Sequence, residues 1–214
     1  MELSAKELAL SHPILVRSFA IIDREFQEHY GSYEKLGFSA QQYALVRRVI
    51  HTTADFEFAK YLSFSSDAIA EGITAIAQGT PIITDVTMVA QGIKNLAQKT
   101  FNNPIIPAIA YAPTPEPGRT RTETGILRCL EQYPNAVVAI GNAPTALAAL
   151  CDLDIQPALV IGAPVGFVGV VAAKEKLART ALPQIRVDGR KGGSAVAAAI
   201  ANALIMLAWN AAES

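Results

Sequence analysis

The first third of the chain carries the hydrophobic periodicity of helices. Behind Ser39 the apolar side chains recur at helical intervals, and Ser39 with Gln42 has the spacing of a capping box. Gly31 and Gly79 follow such apolar runs, as glycine does where a helix ends. Three helices are predicted: from Ser11-His12-Pro13 to about Tyr30, from Ser39 to His51, and from just after Ser65-Ser66 to about Gln78.

From residue 80 onward, short and almost wholly apolar runs alternate with helical patterns. Such runs are typical of strands that are buried on both faces, as in a parallel sheet. Because no linker interrupts the alternation, we expect one domain over 1–214, with a helical part (1–79) packed on an α/β core (80–214). The core is predicted as a doubly wound, mainly parallel five-stranded sheet with strands at 81–86, 105–110, 136–140, 158–161 and 185–187.

Composition narrows the classes of partner. Apolar residues make up 51% of the 214 residues and charged residues 17%, and the mean hydropathy is +0.27. No apolar run approaches the roughly 20 residues that a membrane span needs. The surplus apolar surface therefore predicts burial between subunits. A net charge of −1 argues against general binding of nucleic acid, which requires many cations.

The chain start and the cysteines predict a cytoplasmic protein. The segment MELSAKELALSHP carries acidic residues and lacks the cationic start and apolar centre of a signal peptide. Cys129 and Cys151 stand in apolar helical contexts without the spacing of metal ligands, so we expect buried thiols in a reducing compartment.

Four strand ends carry polar or glycine-rich segments. The carboxyl ends of parallel strands meet at one edge, where open sheets bind ligands. Glycine and proline also make ordinary turns there, but four such segments at one edge favour a ligand with a carboxylate or phosphate. None has the spacing of a dinucleotide or phosphate-loop fingerprint. The candidate ligand-binding residues are Thr84 and Asp85, Asn142 and Thr145 in 141–145, Gly166 in 162–169, and Lys191, Gly192, Gly193 and Ser194 in 189–194.

Several arginines could also bind an anion. Each of them, taken alone, is equally compatible with a solvated surface charge. Arg121 is the strongest candidate, because it stands in a long loop that leaves a strand end. The other candidate cations are Arg17, Arg47, Arg48, Arg119 and Arg190.

His51 closes the second predicted helix. The negative end of the helix dipole favours an imidazolium there, and Asp55 would favour it further if the chain turned back. We therefore predict a raised pKa and a proton donor near neutral pH, held in orientation by Asp55 and by the hydroxyls of Thr52 and Thr53. A histidine that only caps the helix is the alternative. No metal site is predicted, because His, Cys and carboxylates do not cluster.

Up to this point, the residues leave two readings open: an acid–base enzyme or a binding protein, each acting on an anionic small molecule. The segments singled out above closely resemble the precorrin-8X methylmutase family, also called cobalt-precorrin-8 methylmutase. The matching segments, in the family's order, are RSFAIID (17–23), RRVIHTTAD (47–55), PIITDVTMVAQGI (81–93), RTRTETGI (119–126), VVAIGNAPTAL (137–147), PALVIGAPVGFVGV (157–170) and GRKGGSAVAAA (189–199).

The resemblance implies a flavodoxin-like α/β fold with extra N-terminal helices, a homodimer, and an isomerase without an external cofactor. Its substrate would be a corrinoid tetrapyrrole, whose C-11 methyl group migrates to C-12. It further implies that His51 is the acid or hydrogen-bond donor to the ring, and that Ser18 and Arg121 line the pocket. The family pattern is broken at Val171-Ala172-Ala173, where many relatives have a Glu.

Two other functions remain to be compared with the enzyme. A corrinoid carrier would hold the product and hand it to the following amidating enzyme, and it would tolerate loss of His51. A flavodoxin-like protein for a phosphate ligand rests on fold analogy alone, and the missing phosphate fingerprints speak against it.

Overall fold

The computed structural model describes residues 5–10 and 12–212. Ten α-helices alternate with six strands over these residues. The helices are α1 (Ala5–Leu10), α2 (Pro13–Tyr30), α3 (Ala40–Thr53), α4 (Phe58–Tyr61), α5 (Ala68–Ala77), α6 (Thr87–Lys99), α7 (Arg121–Gln132), α8 (Pro144–Leu150), α9 (Val170–Ala178) and α10 (Ser194–Ala211). The strands are β1 (Leu62–Phe64), β2 (Ile82–Thr84), β3 (Ile105–Pro107), β4 (Val137–Ile140), β5 (Leu159–Gly162) and β6 (Gln184–Val187).

The local signals for the early helices are confirmed. The Oγ of Ser39 accepts a hydrogen bond from the Gln42 N–H at 3.1 Å, and the Gln42 side chain accepts one from the Ser39 N–H at 2.8 Å. At the start of α2, the Nδ1 of His12 accepts from the Ile14 N–H at 3.2 Å, whereas Ser11 lies outside the described residues. Gly79 follows α5 with φ 76°, a left-handed conformation that suits glycine.

The sheet has six strands in the order β1-β6-β5-β4-β2-β3. β2 to β6 are parallel, and β1 pairs antiparallel with β6. The five parallel strands are those that the sequence predicts, but β1 is absent from that prediction. The predicted strand 105–110 was too long, because the chain leaves β3 after Pro107 and forms a 3₁₀ turn at Ala108–Tyr111.

Side chains alternate between the two faces of the sheet, and each face has its own hydrophobic cluster. Ile82 and Val137 point to the face that α2, α3, α5, α6 and α10 cover. Ile83 and Val138 point to the opposite face, under α7, α8 and α9. The first cluster therefore contains residues from the early helices as well as from the α/β alternation.

Helix α10 is the longest apolar element. Its 18 residues have a mean hydropathy of 1.6, so by length and composition it could cross a membrane, and it comes closer to that length than the sequence analysis expected. However, 61% of it is buried inside the protein, where it packs against α3, α5 and α6. Such a core helix is weak evidence for a membrane span.

Candidate active site

His51 and Ser18 face each other across the contact between α3 and α2. The Oγ of Ser18 lies 2.7 Å from the Nδ1 of His51, within hydrogen-bond distance. The ring of Phe19 meets the imidazole edge-on, with 5.6 Å between the ring centroids. The imidazole is half-buried in the last turn of α3. Its orientation is therefore fixed by a hydroxyl and an aromatic ring on the neighbouring helix.

The predicted electrostatics of His51 are wrong in sign. Burial lowers the pKa of His51, and the cation of Arg48, three residues earlier on α3, lowers it further. Asp55 does not bond to the imidazole, because its carboxylate accepts from the ammonium of Lys191 at 2.6 Å. Nor do the following hydroxyls hold the ring: those of Thr52 and Thr53 donate to backbone carbonyls one turn earlier in α3.

Lys191 joins two separate parts of the site. Its ammonium bonds to the carboxylates of both Asp55 and Glu57, in the segment that follows α3. These two carboxylates raise the pKa of Lys191 well above its ordinary range, so it stays charged. Lys191 was predicted to bind ligand, but the structure shows that its charge is already paired within the protein.

Asp85 follows β2 and is completely buried. Its two carboxylate oxygens accept hydrogen bonds from four backbone N–H groups, those of Val86, Gly141, Asn142 and Ala143, at 2.6–3.1 Å. Burial raises the pKa of Asp85, whereas these donors favour the carboxylate and oppose the rise. The carboxylate thus holds the segment 141–145, named here the β4 loop.

The predictions of direct ligand contact for Thr84 and Asp85 need correction, whereas that for Arg121, which is exposed, stays a prediction. Thr84 is fully buried, and its hydroxyl donates to the carbonyl of Val86. The guanidinium of Arg121 donates to the carbonyls of Ala112 at 2.9 Å and Ile109 at 3.1 Å. Thr84 and Asp85 therefore hold backbone near the sheet edge and do not reach a ligand, while Arg121 holds backbone with a side chain that remains accessible.

Two further loops leave the same edge: the β5 loop (162–169) and the β6 loop (189–194). The Gly193 N–H donates to the Ala163 carbonyl at 2.8 Å, and the Gly166 N–H donates to the Arg190 carbonyl at 3.2 Å. A Cβ on Gly192 would lie only 2.3 Å from the Ala163 oxygen, so only glycine allows this approach. The two loops therefore form one unit.

Other predicted residues remain accessible at this edge. Asn142 and Thr145 are exposed, and the Thr145 hydroxyl lies 3.1 Å from that of Thr120, which caps α7. Ser194 is half-buried at the first position of α10. Apolar side chains are also exposed at this edge, with Phe167 at 84% and Val168 at 91%. The edge thus presents both polar groups and an apolar surface.

The sequence analysis did not predict that two cations, Arg47 and Lys174, are buried. Arg47 lies 1% exposed, with its guanidinium 3.0 Å from the Asp23 carboxylate and 4.3 Å from the centre of the Phe19 ring. Lys174 in α9 is equally buried and donates to the backbone of the β6 loop. Its position among Val170, Ala173 and Leu177 on the apolar face of α9 was the signal that could have identified it.

Among the described residues, no group of three or more His, Cys, Asp or Glu side chains is arranged to hold a metal ion.

Comparison with known proteins gives a consistent match over nearly the whole chain. The sequence model of the family described as CbiC, precorrin-8X methylmutase, matches residues 13–207. The cobalt-precorrin-8 methylmutase of Synechocystis sp. is 51% identical over 94% of this chain and 98% of its own. The precorrin-8X methylmutase of Pseudomonas aeruginosa is 41% identical over 78% of this chain and 85% of its own. The structure of precorrin-8X methylmutase from Thermus thermophilus superimposes with a TM-score of 0.82 at 38% identity, covering 92% of this chain and 96% of that one.

The substitution Asp85→Asn tests whether the buried carboxylate holds the β4 loop. An amide offers one acceptor oxygen, and its NH₂ group would face N–H donors, so we expect the free energy of unfolding to fall by about 2–4 kcal/mol. Urea denaturation measures this change. The exposed Asp154→Asn is the matched control and should change stability by less than about 0.5 kcal/mol. Equal stabilities of the two variants would contradict the assigned role of Asp85.

Proposed function

The chain belongs to the precorrin-8X methylmutase family, and we propose that it moves the C-11 methyl group of its corrinoid substrate to C-12, an isomerisation in cobalamin biosynthesis. The observation that carries this proposal is the identity of 51% with a named methylmutase over almost the full length of both chains. The product would be hydrogenobyrinate, or cobyrinate where cobalt is present.

We propose His51 as the hydrogen-bond donor and acid that acts on the macrocycle. The methyl shift requires a proton near the ring nitrogens, because that proton biases the electronic structure of the conjugated system. When Ser18 donates its hydroxyl proton to Nδ1, the proton of the neutral imidazole is on Nε2. In the imidazolium, Nδ1 donates to Ser18 and Nε2 still carries a proton. Ser18 thus keeps an Nε2 donor available in both states.

The β4, β5 and β6 loops are proposed to bind the periphery of the substrate. Its acetate and propionate carboxylates require N–H and hydroxyl donors, which the side chains of Asn142, Thr145 and Ser194 offer at this edge. The exposed Phe167 and Val168 suit the flat, apolar faces of a macrocycle. Asp85 contributes by holding the β4 loop, and Lys191 contributes by tying the β6 loop to the segment after α3. Thr84 holds the backbone of Val86, and Arg121 holds the backbone at Ile109 and Ala112.

We propose cobalt-precorrin-8 as the natural substrate. The Synechocystis relative, at 51% identity, is named for the cobalt form, whereas the Pseudomonas relative at 41% is named for precorrin-8X. The higher identity and coverage favour the cobalt form for this chain.

Four further proposals accompany the function, two on the fold and two on the location and the product. The parallel strands run in the order β3-β2-β4-β5-β6, which supports a flavodoxin-like sheet to which β1 adds an antiparallel edge. The shared hydrophobic cluster supports a single domain over 1–214. We further propose a cytoplasmic protein, because Cys129 and Cys151 are free thiols whose pKa burial raises, and hand-over of the product to the following amidating enzyme.

Single-turnover visible spectroscopy with metal-free and cobalt-loaded precorrin-8 tests the catalytic role of His51. We expect wild type to convert the cobalt form faster, and His51→Ala to slow conversion by about 10²- to 10⁴-fold while it still binds, because general acid catalysis contributes that much. His29→Ala, an exposed histidine on α2, is the matched control and should convert at the wild-type rate. Unchanged turnover in His51→Ala would exclude the donor role. Binding without conversion by wild type would favour the carrier.

Removal of the positive charge of Arg48 should shift the pH dependence of kcat/KM. A proton donor is active when protonated, so activity falls as pH rises through the pKa of His51, which burial and Arg48 lower. In Arg48→Gln the repulsive cation is gone, the pKa rises, and we expect the falling limb to move to higher pH by up to about one unit. Arg24→Gln, on the exposed face of α2, serves as the control and should leave the limb in place. An unmoved limb in Arg48→Gln would show that His51 does not limit the profile.

We propose that the protein is a homodimer. The exposed Met88, Phe167 and Val168 at the carboxyl edge, and the high apolar fraction of the chain, support a surface that another subunit covers in part. Sedimentation equilibrium at micromolar concentration should therefore give twice the chain mass of 22.7 kDa. A mass equal to that of one chain, with no dependence on concentration, would contradict the proposal.

A further inference from the structure

Lys174 is a buried cation without a carboxylate partner in hydrogen-bond contact. Its side chain is 1% exposed, and its ammonium donates to the carbonyls of Gly189 at 2.9 Å and Lys191 at 2.7 Å. Burying a lysine is costly, and a methionine would fill the same space on the apolar face of α9 without that cost. The two hydrogen bonds to these backbone oxygens therefore explain why a lysine occupies this buried position.

These oxygens belong to the β6 loop, which is tied to the segment that follows α3. The carbonyl of Lys191 is fixed by Lys174, while the Lys191 side chain bonds to Asp55 and Glu57. Asp55 follows His51 by four residues, just beyond the end of α3. Lys174 thus fixes the backbone of Lys191, and the side chain of Lys191 binds Asp55 and Glu57 in the segment that follows α3.

Lys174 is connected to the β5 loop as well. Helix α9 begins directly after that loop, with Gly169 as its N-cap at φ 70°. The β5 and β6 loops are further joined by the hydrogen bonds from Gly166 to Arg190 and from Gly193 to Ala163. The side chain of Lys174 therefore connects helix α9, which follows the β5 loop, with the backbone of the β6 loop.

We propose that Lys174 is a positioning residue for corrinoid binding, whose ammonium holds the β6 loop against the β5 loop and the end of α3. This inference rests on the proposed function and adds a residue that does not itself touch the substrate. It predicts a loss of affinity rather than of the chemical step, because His51 and Ser18 keep their own contact when Lys174 is changed.

The charge of Lys174 gives the proposal a second readout. Burial lowers the pKa of Lys174 to about 8, against an opposing attraction from Asp188. Above that pH the neutral amine donates weaker hydrogen bonds to the two carbonyls, so affinity should fall as pH rises. The unfolded lysine, with its ordinary pKa of 10.5, binds more protons between these values, so the contribution of Lys174 to stability rises with pH in the same window.

The charged groups on α9 and on the elements around it have partners of their own. Asp188 bonds to Arg186 and Ser63, Lys176 to Asp152 in the turn after α8, Glu175 to Arg179, and Lys191 to Asp55 and Glu57. The Arg190 guanidinium lies over the Phe167 ring. Because carboxylates raise the pKa of Lys191, that residue keeps its charge throughout the window in which Lys174 loses its own.

The test compares wild type, Lys174→Met and Lys176→Met between pH 7 and 9.5. Visible titration gives the Kd for the cobalt-loaded corrinoid product, and saturating cobalt-precorrin-8 gives kcat. At pH 7 we expect Lys174→Met to raise Kd about tenfold or more and to change kcat by less than about threefold. Wild-type Kd should rise about 3- to 10-fold across pH 8, a step that Lys174→Met lacks. Lys176→Met, from the same helix but bonded to α8, should behave as wild type.

Three further outcomes decide the proposal. Wild-type affinity in Lys174→Met at pH 7 overturns it, as does a pH step that this variant retains. Loss of the Lys174 charge should raise Kd as pH rises, while the contribution of Lys174 to stability rises with pH as well. A wild-type Kd that rises only at pH values where thermal stability falls would therefore also overturn the proposal. If Lys174→Met does not fold, the wild-type pH titration alone decides. If wild type binds the corrinoid without converting it, the proposed function fails, while the Kd comparison still decides on Lys174.

Discussion

The carboxylate of Asp85 is the interaction around which the carboxyl edge of the sheet is arranged. Because it binds the N–H groups of residues 141–143, it fixes the β4 loop at the end of β4. Gly141 in that loop meets the start of α10 so closely that a Cβ would lie 2.7 Å from the Cα of Ser194. Helix α10 in turn packs against α3, which carries His51. The position of the proposed acid therefore depends on a carboxylate that is completely buried within the protein.

Two buried charged side chains of opposite sign, Asp85 and Lys174, bind unpaired backbone groups of the loops at this edge. Loops without regular pairing leave backbone groups that must be satisfied, since an unpaired buried group is costly. Asp85 accepts from the donors of the β4 loop, and Lys174 donates to the acceptors of the β6 loop. The break in the family pattern that the resemblance implies at Val171-Ala172-Ala173 would leave this arrangement intact, because Val171 and Ala172 are exposed while Lys174 is buried.

The sequence predicted elements whose signals are local. The capping box of Ser39 and Gln42 and the five buried apolar strands were identified because each depends on a few neighbouring residues. Strand β1 was missed because Leu62–Phe64 has only three residues and one fully buried side chain. Its strand character comes from antiparallel pairing with β6, more than 120 residues away along the chain. Pairing between such distant segments leaves no periodic trace in either of them.

The site was predictable as a location but only partly as a set of contacts. Parallel strands must bring their carboxyl ends to one edge, so the candidate residues were expected together there. Whether a polar side chain at a strand end points outward or back into the loops depends on tertiary contacts, and Asp85 and Arg121 point back. For His51 the helix dipole was weighed without burial and without Arg48, both of which lower the pKa. Burial and the neighbouring cation come from how α3 packs and from the neighbouring side chain of Arg48, so the position of His51 at a helix end could not by itself give the direction of its pKa shift.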